Sequence, residues 1–307
     1  MIYREENCPE ILARFQSLST KGTSRWLTLP PTNINYVINS SQYRTAVAHR
    51  CGIPSATLHK AGVFQCVCGK DAAADHRHFH TCNKLTGGGR TAAHNHMLFT
   101  LAQRLQELHV YIQKEPLYKD LIDSTREDHK LNVEYSQLRG DLAVVCDKGA
   151  YLVDVAVVQP DADSYIAKGA DKESYVAIKH MEKIKTDKYE KFCHHAKMKM
   201  VPFVYDSYGC IGTQALKFLQ TMSNLSESPT EWLAHTLNCL SACLQRTNAL
   251  LVNRAISNCV CNNLQQHIAP VALNNVSRSR SPVYVDYAGY SGQFANYNAV
   301  RMLTANA

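Results

Sequence analysis

Asp141 and Asp154 each sit inside a short apolar run. The first run is Arg139-Gly140-Asp141-Leu142-Ala143-Val144-Val145, the second is Ala150-Tyr151-Leu152-Val153-Asp154-Val155-Ala156-Val157-Val158, and Asp147-Lys148-Gly149 joins them. Two β-prone runs around a short glycine-containing loop predict a β-hairpin. In such a hairpin the two aspartates oppose each other to within about one residue, with Cβ atoms roughly 5 Å apart, where like charges repel. A carboxylate in an apolar strand is also costly unless something compensates its charge. A divalent cation relieves both problems. Mg²⁺ takes one or two carboxylates together with waters and phosphate oxygens, so the pair suits a site that cleaves phosphodiesters. The competing reading is a hairpin that turns both aspartates to solvent.

Elements on either side of the hairpin would have to complete the site. Upstream, Leu98, Leu101, Leu105 and Leu108 recur at helical spacing within Thr91 to Leu108; an extended run Val110-Tyr111-Ile112 and then Glu115-Pro116 follow. Glu115 thus supplies a third carboxylate just before the hairpin. Downstream, residues 173 to 199 read as a long helix on which Ile178, Met181 and Phe192 share a face with Lys185 and Lys188. Lysines on an apolar face usually lay their stems on the core and keep the ammonium group in water. Alternatively one of them points back at the hairpin, where it would position a water or offset charge on the phosphate.

A second group of chemically active residues lies earlier in the chain. Cys66-Val67-Cys68-Gly69 precedes Asp75-His76-Arg77-His78-Phe79-His80-Thr81-Cys82. Three thiols and several imidazoles so close together have the composition of a tetrahedral Zn²⁺ site, and Gly69 suits the tight turn of a zinc knuckle. Cys66, Cys68, His78 and Cys82 are the expected ligands, with His76 or His80 as substitutes for His78. A loop of unpaired thiols and imidazoles is the plainer alternative.

Taken in order, a helix, Glu115-Pro116, Arg139-Gly140-Asp141, Asp154 in a second strand and Lys185-x-x-Lys188-Tyr189 resemble the PD-(D/E)XK nuclease superfamily. More narrowly, they are similar to the restriction-like endonuclease domain at the C-terminus of site-specific non-LTR retrotransposons. That family has an Arg/Lys-Pro-Asp strand, a second acidic residue after a similar gap, and a catalytic lysine moved onto the following helix. It also carries a Cys-Cys-His-Cys knuckle just upstream, and often Arg-His-Asn at the start of its first helix. Here Gly140 stands in place of the proline, Ala156 stands where the simplest form of the superfamily has its lysine, and Ala93-His94-Asn95 keeps only the His and Asn. The resemblance covers residues 25 to 225 and includes no reverse transcriptase, so a detached version of the domain is expected.

The resemblance implies an α/β fold, a mixed sheet flanked by helices, with the knuckle before it and a helical extension after it. It implies an Mg²⁺-dependent endodeoxyribonuclease. Asp141 and Asp154 would ligate Mg²⁺ or Mn²⁺ with help from the Val155 carbonyl, Glu115 would complete the site, and Lys185 or Lys188 would orient the water. The alternative function is a catalytically inactive, zinc-containing nucleic-acid-binding module domesticated from such an element. DNA is the expected partner, branched or single-stranded forms included; RNA and the oligomeric state are left open.

Composition fits these expectations. The chain has 307 residues, 45% of them hydrophobic, and no uninterrupted apolar stretch long enough to span a bilayer. Met1-Ile2-Tyr3-Arg4-Glu5-Glu6 is too charged for a signal peptide, and clustering of the 12 cysteines favours bound zinc in a reducing compartment over a disulfide framework. An intracellular, nuclear protein with no membrane partner is expected. The net charge of +7 is a weak pointer to a polyanion; more telling is the concentration of Lys168, Lys172, Lys179, Lys183, Lys185, Lys188, Lys191, Lys197 and Lys199 on and before the catalytic helix.

The expected divisions are an N-terminal helical segment that contacts nucleic acid (1–60), the knuckle (61–85), the nuclease core (90–225), a helical extension (226–270) and a flexible tail (271–307). Within them, helices are expected near Pro9 to Ser17, Ser41 to Arg50 and Thr213 to Met222, a strand at Val201 to Tyr205, and two helices between Pro229 and Leu264. Cys259-Val260-Cys261 has no His/Cys partner nearby in sequence and reads as buried thiol.

Overall fold

The computed structural model describes residues 8–55, 62, 65–72, 75, 77–82, 84–85, 89–117, 121 and 138–268, with backbone alone over 261–268. His76 and the tail 271–307 lie outside these residues. The chain divides into two units, Met1–Gln265 and Gln266–Ala307, and the sheet and both residue clusters belong to the first.

Four strands form one mixed sheet in the order β1 (Tyr111–Lys114), β2 (Leu142–Cys146), β3 (Gly149–Val158) and β4 (Lys199–Asp206). The first two pairings are antiparallel and β3 pairs parallel with β4. The hairpin β2–β3 has the two-residue turn Asp147-Lys148, and its register sets Leu142 against Val153. A one-residue slip would put every side chain on the wrong face, so the apolar alternation pins this register.

Helices in chain order are α1 (Pro9–Leu18), α2 (Ser40–Cys51), α3 (His78–Thr81), α4 (Gly89–Gln106), α5 (Asp163–Ile166), α6 (Val176–His195), α7 (Thr213–Ser223) and α8 (Pro229–Ile268). Alternation along the strands separates two apolar layers. On one face Tyr151, Val153, Val155, Phe203 and Tyr205 pack with Leu98, Leu101 and Leu105 of α4, Phe218 and Leu219 of α7, and Leu240 and Leu244 of α8. On the other face Leu152, Val158 and Val204 meet Ala177, Ile178, Tyr189 and Phe192 of α6. The expected mixed α/β architecture with helices flanking the sheet is present.

Two elements and one residue differ from the sequence expectation. The catalytic-helix candidate runs from Val176 to His195, shorter than 173 to 199. Tyr175 (φ 68°) and Lys197 (φ 53°) adopt left-handed backbone at its two ends, and Lys199 already belongs to β4. Pro229 to Leu264 forms one helix instead of two. Its only proline is at the first helical position, where the missing N–H costs nothing, and no glycine interrupts it. Gly140 is more than a less rigid stand-in for proline: a Cβ there would run into the fully buried Leu152 side chain, 2.9 Å from its Cγ. Any larger residue at this strand entrance would therefore force Leu152 to shift.

Candidate active site and metal centre

The regular β2–β3 ladder ends at Leu142, opposite Val153, and Asp141 stands at a bend just before it, while Asp154 follows Val153 on the sheet face covered by α6. The Asp141 backbone N–H donates to Val153 O at 3.2 Å, so Asp141 faces the same residue as Leu142 and the pairing is irregular here. Its carboxylate turns inward. The backbone N–H of Val155 donates to Asp141 Oδ2 at 2.6 Å, and His94 Nε2 from the first turns of α4 lies 3.2 Å from Oδ1. The hydrogen bond to Asp141 raises the His94 pKa; the Asp141 and Asp154 charges support the rise, and burial and Lys185 oppose it. The imidazole thus feels both carboxylates and the lysine.

Asp154 is 3% exposed, and Lys185 forms its ion pair, with the ammonium group against Oδ2. Lys185 sits on the inner flank of α6, its stem covered and its head on the hairpin, as the sharper of the two lysine readings expects. Lys188 goes elsewhere. It is exposed and donates to Tyr189 Oη at 2.9 Å, and the Tyr189 hydroxyl donates to Arg139 O at 2.5 Å. Burial, then the Asp154 charge, pushes the Tyr189 pKa far up, so the phenol stays protonated and holds the strand entrance.

Glu115 takes a place at the margin. Its backbone N–H donates to Asp141 O at 2.9 Å, but its side chain is 64% exposed and pairs with Arg139 at 3.8 Å. The left-handed backbone at Glu115 (φ 47°) accompanies this outward turn. Among the described residues, the two aspartates do not belong to any group of three His, Cys, Asp or Glu ligand atoms lying within 4.8 Å of one another. Two carboxylates remain enough for Mg²⁺, which keeps several waters and takes phosphate oxygens. Sequence reasoning noticed His94 only as part of a resemblance; its pairing with Asp141 carries no local sequence signal.

The second cluster brings together the four expected ligands. Cys66, Cys68, His78 and Cys82 place their ligand atoms within 4.8 Å of one another and can hold a metal ion such as zinc. Cys66 and Cys82 sulfurs are 3.8 Å apart, and Cys68 Sγ is 3.2 Å from His78 Nε2. With Zn–S bonds of about 2.3 Å, the edge of a tetrahedron is about 3.8 Å, so the sulfur pair already has the spacing required. Burial lowers the His78 pKa, which keeps the ring neutral and its nitrogen available. Burial pushes the Cys66 thiol up to about 12, and the other thiols close to it push the same way. A metal cation would reverse that penalty by compensating the thiolates.

Local structure explains the arrangement. Gly69 N–H donates to Cys66 O at 2.8 Å, Cys66 N–H donates to Lys70 O at 2.9 Å, and Gly69 has φ 86°, the backbone a knuckle turn needs. His78 projects from the short helix α3, which also carries His80 in another direction. The His80 ring stacks on His49 of α2 at 4.1 Å between centroids, and His49 stacks on Tyr208 at 4.6 Å. His80 therefore docks the knuckle onto the core and does not replace His78 in the cluster. Arg77 reinforces the docking by donating to Asp161 O at 2.5 Å.

Cys259 differs from its sequence reading. It is fully buried, as expected, but it packs with Cys66, Ala72, Phe79 and Cys82 and so has thiol neighbours that linear distance concealed. No protein-family model matches the chain, and no curated protein sequence matches it.

Proposed function

We propose that this chain is a metal-dependent DNA endonuclease of the restriction-like kind, related to the nucleases of non-LTR retrotransposons, with a structural zinc at the knuckle. The observation that carries the reading is the Lys185–Asp154 ion pair close to Asp141, near enough that both carboxylates and the lysine act on His94. It combines an acidic residue at the entrance of β2, one within β3 and a lysine of α6. Asp141 and Asp154 would hold Mg²⁺ or Mn²⁺. Such an ion supplies an acidified water and offsets charge on the scissile phosphate.

The chain's own residues supply the rest. Lys185 has its ammonium group at the carboxylate pair, where it can hold the attacking water and take up part of the charge that develops on the phosphate. His94 and the Val155 N–H fix the two oxygens of Asp141, and Tyr189 fixes Arg139 at the strand entrance. Lys179, Lys183, Lys188 and Lys191 on exposed parts of α6, with Lys168, Lys172, Lys197 and Lys199 at its ends, offer cations to a phosphate backbone beside the site. No helix among the described residues is long and apolar enough to cross a membrane. The nucleus is the compartment this reading assigns.

One observation favours the catalytically silent binding module: Asp141 and Asp154 already have side-chain partners within the protein, His94 and Lys185. The two readings separate in a cleavage assay on supercoiled, branched and single-stranded DNA, and on RNA, with and without Mg²⁺ or Mn²⁺. Metal-dependent cutting that Asp141→Asn abolishes supports the nuclease. Tight binding with no cutting of any substrate supports the module.

A further inference from the structure

Glu115 and Arg139 meet across a short stretch of antiparallel backbone at the entrance of β2. Leu117 bridges to Arg139, Gly140 N–H donates to Pro116 O at 3.4 Å, and Glu115 N–H donates to Asp141 O at 2.9 Å. From another side the Tyr189 hydroxyl donates to Arg139 O at 2.5 Å. The Arg139 backbone is thus fixed two residues before Asp141, whereas its side chain is 57% exposed. Among the described residues the acidic partner of its guanidinium is Glu115, at 3.8 Å, too far for a hydrogen bond. A pair so exposed and so long adds little to stability. Glu115 reaches it from left-handed backbone (φ 47°), a conformation that residues with a side chain rarely adopt.

We propose that Arg139 binds a backbone phosphate of the nucleic acid next to the one cut at Asp141 and Asp154, and that Glu115 is a place-holder whose carboxylate this phosphate displaces. The proposal rests on the reading that a DNA strand is drawn to the two aspartates. Two residues of extended chain span at most about 7 Å, so a strand with one phosphate at the hairpin entrance passes the guanidinium. Arginine presents its N–H donors in a planar fork, which pairs with the oxygens of a carboxylate or of a phosphate. Glu115 and a phosphate therefore compete for the same donors. The exchange costs little: the Arg139 backbone is ordered in advance, and only a long, solvated ion pair is given up.

The test is a double-mutant cycle on DNA binding by the full chain. A labelled forked DNA duplex is titrated in Ca²⁺ over a series of salt concentrations with the wild type, Arg139→Gln, Arg139→Lys, Glu115→Gln and the double variant Glu115→Gln with Arg139→Gln. Both side chains are exposed, so the variants should fold, and coincident urea-unfolding curves check this. Arg139→Gln should weaken binding about tenfold and reduce the slope of log affinity against log salt by about 0.9, the loss of one phosphate contact. Arg139→Lys should restore the slope but only part of the affinity, because it keeps the charge and loses the fork. Glu115→Gln should tighten binding about threefold when Arg139 is intact, and by much less in the Arg139→Gln background. An equal gain in both backgrounds would show that Glu115 acts on DNA without Arg139 and would overturn the place-holder. If the wild type cuts this DNA in Mg²⁺ while Arg139→Gln keeps the wild-type affinity and salt slope, the proposal falls and the nuclease reading stands. A wild type that neither binds nor cuts the fork overturns both.

Discussion

His94 Nε2 lies 3.2 Å from Asp141 Oδ1, so α4 reaches to the entrance of the hairpin and joins two residues more than forty positions apart in sequence. The other oxygen of Asp141 accepts from the Val155 N–H at 2.6 Å. Held at both ends, the carboxylate has one orientation before any substrate arrives, which is the condition for a site to act without first reorganising.

His94→Ala should therefore cost rate more than binding. Asp141 would keep its charge and its backbone donor but lose its side-chain clamp. The expected loss of cleavage is about 10- to 100-fold, in line with outer contacts at metal sites. DNA affinity, measured by titration in Ca²⁺ in place of Mg²⁺, should change less than threefold or so, because phosphate contacts from lysines and arginines carry it. A variant that cuts at the wild-type rate would remove His94 from the site.

Asp141→Asn and Asp154→Asn keep shape and remove charge. Cleavage should fall by at least ~10²-fold, and Lys185→Ala should do the same. Lys188→Ala should leave the rate near the wild-type value, since Lys188 is exposed and bound to Tyr189 and not to either aspartate. The opposite outcome, activity lost with Lys188 and kept without Lys185, would show that α6 turns by one step when DNA binds.

How much of this was legible in the sequence varies with the range of the interactions. The hairpin was legible because a two-residue turn and apolar alternation act locally, and α4 and α7 because apolar residues recur at helical spacing. Lys185 and Lys188 were not distinguishable: three residues apart, they lie on neighbouring parts of one helix face, and only packing against β3 decides which is inward. Glu115 was expected at the site from its position, but its left-handed backbone turns the side chain to Arg139. Cys259 was read as solitary because its partners precede it by more than 170 residues. His94 and Cys259 share this cause, since contacts made by folding leave no spacing to read.

Breaking the Lys185–Asp154 pair should also cost stability, apart from any effect on rate. Asp154 is 5% exposed at its side chain and Lys185 22%, so removing the ammonium leaves a nearly dry carboxylate. Lys185→Ala is expected to destabilise by about 1–3 kcal/mol, below the largest losses seen for buried pairs because Lys185 is partly solvated. Adding Asp154→Asn to Lys185→Ala should recover part of that loss in urea unfolding. Additive losses would mean that the two side chains do not interact in solution.

Metal removal should act first on the knuckle. The described segment around Cys66–Cys82 has little core of its own beyond Ala72 and Phe79 and leans on α8. Treating the protein with a strong chelator should release about one zinc per chain and expose the thiols to alkylation, and Cys66→Ser or Cys82→Ser should do the same without chelator. Hydrogen exchange should then quicken in residues 66–82 and in α8 near Cys259 before it quickens in β2 and β3. A purified wild type containing no zinc would remove the metal from this account.

Asp206 makes the pH dependence of stability predictable. It closes β4, is fully buried, and accepts from Ser17 Oγ at 2.6 Å and from the backbone N–H groups of Tyr208, Gly209 and Cys210 at 2.9 to 3.0 Å. Burial outweighs these donors and raises its carboxyl from 3.8 to about 6. The native state therefore binds the proton more tightly than the unfolded chain. The sign follows: this group favours folding fully below about pH 4, and its contribution is lost as pH rises from there to about 6, after which it is constant. A shift of about two units corresponds to roughly 3 kcal/mol. Asp206→Asn keeps an acceptor for the three N–H groups and cannot ionise, so the wild type should lose about that much stability relative to the variant between pH 4 and pH 7. Parallel urea-unfolding curves for the two proteins across this range would show instead that the four donors hold the carboxylate ionised in the folded state.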